Sequence, residues 1–434
     1  MNFILILGIL LVVGLLSTRL MKVIKLPNVT GYLIVGLLTA IGFAVVDNLS
    51  GNTILTDELI VLNDTISSVA LGFIALSIGE EFKLSKIKHL GAKILTITLS
   101  QALITVLLVD AAVIGVCLAL KIPLEVAICL GAISAATAPA ATLMVIHQYK
   151  AKGPLVDMLL PVVALDDAIG LIVFAISVSI SRVIASGTAP SFISLGVAPM
   201  VEIFGSLILG FILGMILRGL INFFKSRNNH VITIIAFTLI GVGVCELLSY
   251  IKFGGYSFEF SNLLTCMMIG ATYINFGKKE IVERDFSLVE RWTPSLFLLF
   301  FVLSGAHLVT SGRELLTQDI NLISVGVIFI TYLIVRSFGK YIGSFIGCKI
   351  TKREETITKY LGITLLPQAG VAIGMANQIS TIPEFEGGVG NIIVTVVLCA
   401  TLVYELFGPL LTKWSLNKAH EIPKEEDDHF VNPS

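Results

Sequence analysis

Apolar residues fall in blocks of about twenty along the whole chain, separated by short polar stretches. A block of that length spans a bilayer as one helix. Thirteen such spans are expected, at roughly 3–21, 29–47, 65–82, 93–120, 123–146, 156–181, 193–222, 230–251, 259–276, 292–311, 319–347, 357–379 and 389–412. The intervals between them are short, so the pattern predicts an all-α polytopic membrane protein with no sizeable soluble domain. No cleavable leader is read, and the first block is taken as the first span. Residues 1–416 form the transmembrane domain in this reading, and 417–434 form a short, charged cytoplasmic tail expected to be disordered.

Three polar features interrupt the apolar pattern. The sixth span holds Asp166 and Asp167 side by side in the middle of Leu160–Phe174. An ionisable residue at that depth costs at least ~2.5–3.5 kcal/mol on the insertion scale, so an ion or proton site is the default reading. The fifth span carries Ser134, Thr137, Ala138 and Pro139 near its middle, and the twelfth carries Pro367, Gln368 and Gly370. Proline removes a helical hydrogen bond and frees carbonyls, which is tolerated where they face protein or a cavity. The two breaks lie seven spans apart and so run in opposite directions, as inverted repeats with broken helices at a midplane site require. The third feature is Arg336 in the eleventh span, about a dozen residues, or ~18 Å, from its cytoplasmic end. It needs an anionic partner, and the Asp pair is the best placed. Lys340, one turn below, is expected to snorkel to the surface.

Composition and charge sharpen this picture. Hydrophobic residues make up 56% of the chain and charged ones 14%, and the mean hydropathy is +0.95. In alternate loops, 23 Lys and Arg fall on one side and 4 on the other. That asymmetry places the N-terminus outside and the C-terminus in the cytoplasm. The six cysteines fall in or beside apolar blocks without a Cys-x-x-Cys pair, so buried thiols are expected rather than disulfides or zinc ligands. No nucleophile–base pairing, metal cluster or phosphate loop is read, so neither an enzyme nor a cofactor is expected, and nothing points to nucleic acid. Lesser candidates are Asp110 (outer access or a helix contact), Glu80 and Glu81 (a cytoplasmic funnel or an interface boundary), Glu405 (paired with a basic residue or a backbone donor, or an ion ligand), His147 (an interfacial residue or a pH sensor) and Asn275 (a helix cap rather than an ion contact).

Taken in order, Leu26-Pro27, Gly31–Gly36, Thr137-Ala-Pro139, Lys152-Gly-Pro154, Ala164-Leu-Asp166-Asp167, Arg336–Lys340 and Pro367-Gln-Ala-Gly370 resemble the monovalent cation:proton antiporter superfamily, in its Asp-Asp branch. Ala138 stands where the Asn-Asp branch carries Asp, and Arg336 stands where electrogenic Asp-Asp members usually carry Lys. The resemblance implies secondary antiport of Na⁺ or K⁺ against H⁺ by alternating access in a cell membrane, with a prokaryotic one expected. It implies a homodimer with a scaffold of spans 1–3 and 8–10, a transport body of spans 4–6 and 11–13, and span 7 between them. Asp167 would bind cation or proton, Asp166 would pair with Arg336, and Thr137 and Ser134 would supply oxygens. Competing readings are the membrane subunit of a gated potassium efflux system, a sodium-coupled organic anion symporter, and a sensor that transports nothing.

Overall fold

The computed structural model describes residues 3–24, 28–50, 54–138, 142, 145–146, 149–185, 198–224, 226–249, 252–253, 256–257, 260–317, 321–385 and 388–423. Its helices are α1 (Phe3–Ile24), α2 (Asn28–Ser50), α3 (Ile54–Glu81), α4 (Leu84–Leu120), α5 (Leu124–Ser134), α6 (Pro154–Ala185), α7 (Ala198–Phe223) and α8 (Arg227–Ser249). They continue with α9 (Asn262–Phe276), α10 (Lys279–Trp292), α11 (Pro294–Thr317), α12 (Leu322–Ile350), α13 (Glu355–Thr364), α14 (Gly370–Ser380) and α15 (Val389–Lys418). A two-stranded hairpin pairs Lys252–Phe253 with Tyr256–Ser257 between α8 and α9.

Every expected apolar block has a helical counterpart. Among the described residues, nine helices are long and apolar enough to cross a bilayer by length and composition. The twelfth block is split into α13 and α14, with 366–369 non-helical between them. In the fifth block α5 stops at Ser134 and 136–138 are non-helical, while Pro139, expected at this break, lies outside the described residues. Large apolar side chains such as Leu15, Leu38, Phe204, Ile330 and Phe338 point outward, as a lipid-facing surface requires.

Three boundaries differ from the expectation. Helix α3 begins at Ile54 rather than near 65, because backbone hydrogen bonding carries a helix past the end of its apolar stretch. Helix α4 begins at Leu84 but bends at Gly91 (φ +75°), a left-handed conformation open to glycine, and straightens where the apolar block starts. Helix α10 fills the interval between the ninth and tenth expected spans, where the apolar pattern predicts no span. It is amphipathic, burying Val282, Asp285, Phe286 and Val289 at helical spacing.

The tail expected to be disordered from 417 is ordered as far as Pro423. Both carboxylate oxygens of Glu421 accept from α6: Oε1 from the Leu155 N–H at 2.6 Å and Oε2 from the Val156 N–H at 3.0 Å. The Lys152 N–H donates to the Glu421 carbonyl. A carboxylate at a helix N-terminus satisfies free N–H groups and faces the positive end of the dipole, so the tail caps the helix that carries the Asp pair.

Candidate functional site

The site forms where the two chain breaks meet. The Ala138 N–H donates to the Pro367 carbonyl at 2.9 Å, tying break to break. The Gln368 side chain donates to the Ile133 carbonyl at 3.1 Å and to the Tyr332 hydroxyl at 2.9 Å. Broken helices leave C-terminal carbonyls unpaired, and those ends carry partial negative charge. Two cations from α12 meet them.

Arg336 is fully buried. Its Nε donates to the Ser134 carbonyl at 3.1 Å, Nη1 to Leu366 at 2.8 Å and Nη2 to Ala136 at 2.7 Å. Its guanidinium lies 4.5 Å from the ring centroid of Tyr404 on α15. Lys340 is also fully buried. Its ammonium donates to Asp166 Oδ2 at 2.7 Å, to the Thr137 hydroxyl at 2.8 Å and to the Ala135 carbonyl. An ammonium has three donors, and these bonds turn it toward the first break and α6. Asp166 is fully buried and also accepts from the Thr137 hydroxyl and, at its other oxygen, from the Gln101 amide.

The expected pairing is therefore corrected. Asp166 pairs with Lys340, and Arg336 clamps the carbonyls of both breaks. Lys340 does not snorkel. The cause is the closeness of α12 to α4, made by Gly339, Gly343 and Gly347 at four-residue spacing. A methyl group at Gly343 would lie 2.6 Å from the Gln101 Cα. This contact fixes the height of α12, so that Lys340 rather than Arg336 stands level with Asp166.

The other expected residues separate as follows. Asp167 continues α6, but its side chain lies outside the described residues, as does that of Glu81 at the end of α3; His147 lies outside them entirely. Thr137 is in the site. Ser134 contributes its carbonyl, while its hydroxyl donates to Gly131. Ala138 and Pro367 supply the break-to-break bond, and Gly370 opens α14. Asp110 packs against Gly131 of α5, which is the helix-contact reading. Asn275 joins the α3–α4 turn, donating to the Phe82 carbonyl and accepting from the Leu84 N–H, both at 2.7 Å. Glu405 is 1% exposed, and its Oε1 has no hydrogen-bond partner among the described residues, where a basic residue or a backbone donor is expected.

Gln101, Tyr332 and Tyr404 join the site without being among the candidates the apolar pattern predicts. A signal for Gln101 existed: Thr98, Gln101 and Thr105 recur at helical spacing inside an otherwise apolar block. A cavity of about 820 Å³ lies among α3, α6, α7, α8 and α14, lined by Asn63, Ser67, Glu202, Glu246 and Asn377. It reaches Phe174, two helical turns or ~12 Å along α6 from Asp166.

Discontinuous helices meeting at a buried ionisable group are the architecture of ion-coupled secondary transporters. The chain belongs to the sodium/hydrogen exchanger family: the family described as "Sodium/hydrogen exchanger, transmembrane" matches residues 7–418. Among solved structures it is similar to the sodium proton antiporter MjNhaP1 from Methanocaldococcus jannaschii at pH 8, with a TM-score of 0.68 and 17% identity over 95% of this chain and 98% of that one. A second structure, an electron-microscopy map of MjNhaP1, has a TM-score of 0.63 and 16% identity over 99% of both chains. No curated protein matches.

Proposed function

We propose that this chain exchanges a monovalent cation, Na⁺ or K⁺, for H⁺ at the Asp166–Asp167 pair by alternating access. The observation that carries the reading is the buried Lys340–Asp166 pair at the crossing of the breaks, 2.7 Å long. A buried carboxylate requires one counter-charge at a time. In this proposal Asp167 is the carboxylate that holds a proton or a cation. A cation arriving there, with oxygens from Thr137 and the freed carbonyls, displaces the Lys340 ammonium from Asp166. Lysine can release its proton when desolvated, whereas arginine effectively cannot. Arg336 is accordingly a fixed clamp, and Lys340 is the group able to take part in proton coupling.

The packing supports a division into two bodies. Helix α4 packs chiefly on α12, α5 and α6, while α2 packs on α11, and α9 on α3 and α7. In the proposed arrangement α1–α3, α8, α9 and α11 form the scaffold of a homodimer. Helices α4–α6 and α12–α15 move against it, α7 joins the two, and the cavity between them is the outer vestibule. The N-terminus lies outside and the C-terminus in the cytoplasm of a prokaryotic cell membrane.

The test is flux into proteoliposomes under an imposed proton gradient, with Na⁺, K⁺ or Li⁺ added and internal pH followed. Cation-driven alkalinisation is expected, lost in Asp167→Asn. The apparent KM for the cation should rise in proportion to proton concentration at unchanged maximal rate. Near-normal exchange by folded Asp167→Asn, or proton inhibition that acts only on the maximal rate, would overturn competition at this site.

A further inference from the structure

Helix α15 buries four polar side chains along one face: Thr401 (0% exposed), Glu405 (1%), Thr412 (0%) and Ser415 (0%). Among the described residues, Thr401 Oγ1, Glu405 Oε1, Thr412 Oγ1 and Ser415 Oγ all lack a hydrogen-bond partner. Their spacing keeps them within about 80° of one another around the helix and spreads them over ~21 Å of its length. Gly408, on the same face, packs against Pro367, so the stripe abuts the second break. Tyr404, beside Glu405, touches Arg336.

Hydroxyls inside apolar helices normally donate back to a carbonyl one turn earlier. Thr98, Thr105, Thr238, Ser304 and Thr351 of this chain do so. The three hydroxyls of this stripe do not. A buried polar atom left unbonded costs ~1–3 kcal/mol, and four on one stripe call for small polar occupants. Roomy, polar, buried sites take ordered water, each molecule bonding two to four groups. A carboxyl between hydroxyls is also the side-chain set of intramembrane proton relays.

We propose that this face of α15 is a hydrated proton-loading site, at which Glu405 exchanges protons with the cytoplasm through water held by Thr412 and Ser415. The proposal rests on the exchange reading and on its orientation.

Little competes for the carboxyl. On the packed helices, α14 has no charged residue, and α5 has only Glu125 in its first turn. Helix α13 has Glu355 and Lys359 near its start, with Lys359 over the Tyr360 ring. On α12, Arg336 and Lys340 are held at the break as described, and Lys349 lies over the Phe345 ring. Helix α11 presents His307, bonded to Asn63 and Asn377, and Arg313, and α2 presents Asp47. Among the described residues no basic side chain bonds Glu405.

The test uses the full chain in liposomes, read by infrared spectroscopy during a pH titration and on transfer to D₂O. A protonated-carboxyl C=O band that disappears in Glu405→Gln and shifts promptly in D₂O is expected. The Thr412→Val/Ser415→Ala pair should slow proton uptake while leaving the KM for Na⁺ unchanged. A band absent from the wild type or unmoved in D₂O for hours would overturn the proposal. So would a Thr412→Val/Ser415→Ala protein that melts higher with unchanged flux, since that is the signature of a dry stripe. If Glu405→Gln fails to fold, the hydroxyl pair decides. Wild-type protein without any cation-coupled proton flux would sink the exchange reading itself, while the infrared result on Glu405 would stand.

Discussion

Replacing Lys340 with Met tests which cation neutralises Asp166. The two charges are 2.7 Å apart and fully buried. At an effective dielectric of 20 their attraction is about 6 kcal/mol, an upper bound before desolvation is subtracted. Breaking a buried pair by removing one partner costs about 3–5 kcal/mol, much of it for the charge left alone. Lys340→Met and Asp166→Asn are each expected to destabilise the protein. The double variant should fall well short of their sum, leaving a coupling of about 3 kcal/mol. The matching cycle of Arg336→Met with Asp166→Asn should couple far less, because Arg336 donates to three carbonyls and not to this carboxylate. Unfolding in mixed micelles by SDS titration reads all five variants and the parent. Additivity in the Lys340 cycle together with strong coupling in the Arg336 cycle would refute the assignment of the pair.

Other substitutions test the supports of the site. Glu421→Ala removes two charge-assisted cap bonds from α6 and should cost about 1–2 kcal/mol, seen as a lower midpoint in the same titration; an unchanged midpoint would mean that the tail does not hold α6. Gly343→Ala drives a methyl into the Gln101 backbone and should cost about 1–3 kcal/mol while slowing exchange, whereas Gly326→Ala, which meets nothing, should do neither. On α10, buried Asp285 accepts from Tyr273 and lies 2.8 Å from His230 and Arg284. Asp285→Ala should cost about 3–5 kcal/mol against about 1 for Tyr273→Phe, and equal losses would show that the charges contribute nothing.

Much of the site could be read from the chain because its chemistry is conspicuous in apolar surroundings. Asp166, Arg336 and the Pro-containing breaks stand out where charge and proline are costly. Gln101 did not stand out, since an uncharged amide in a span is less costly and its role depends on meeting α6. Helix α10 does not stand out as a continuous apolar block, since its apolar residues recur at helical spacing within a polar segment.

The apolar block length, the two breaks and the loop charges follow from the sequence alone, because bilayer thickness and the demand to satisfy backbone groups act on each segment separately. Which cation meets Asp166 did not follow. Arg336 and Lys340 lie four residues apart on one face of α12, and either could serve. The choice depends on how far α12 slides along α4, and the glycine contacts between those helices set that distance. It is a property of two surfaces in contact, which neither helix carries by itself.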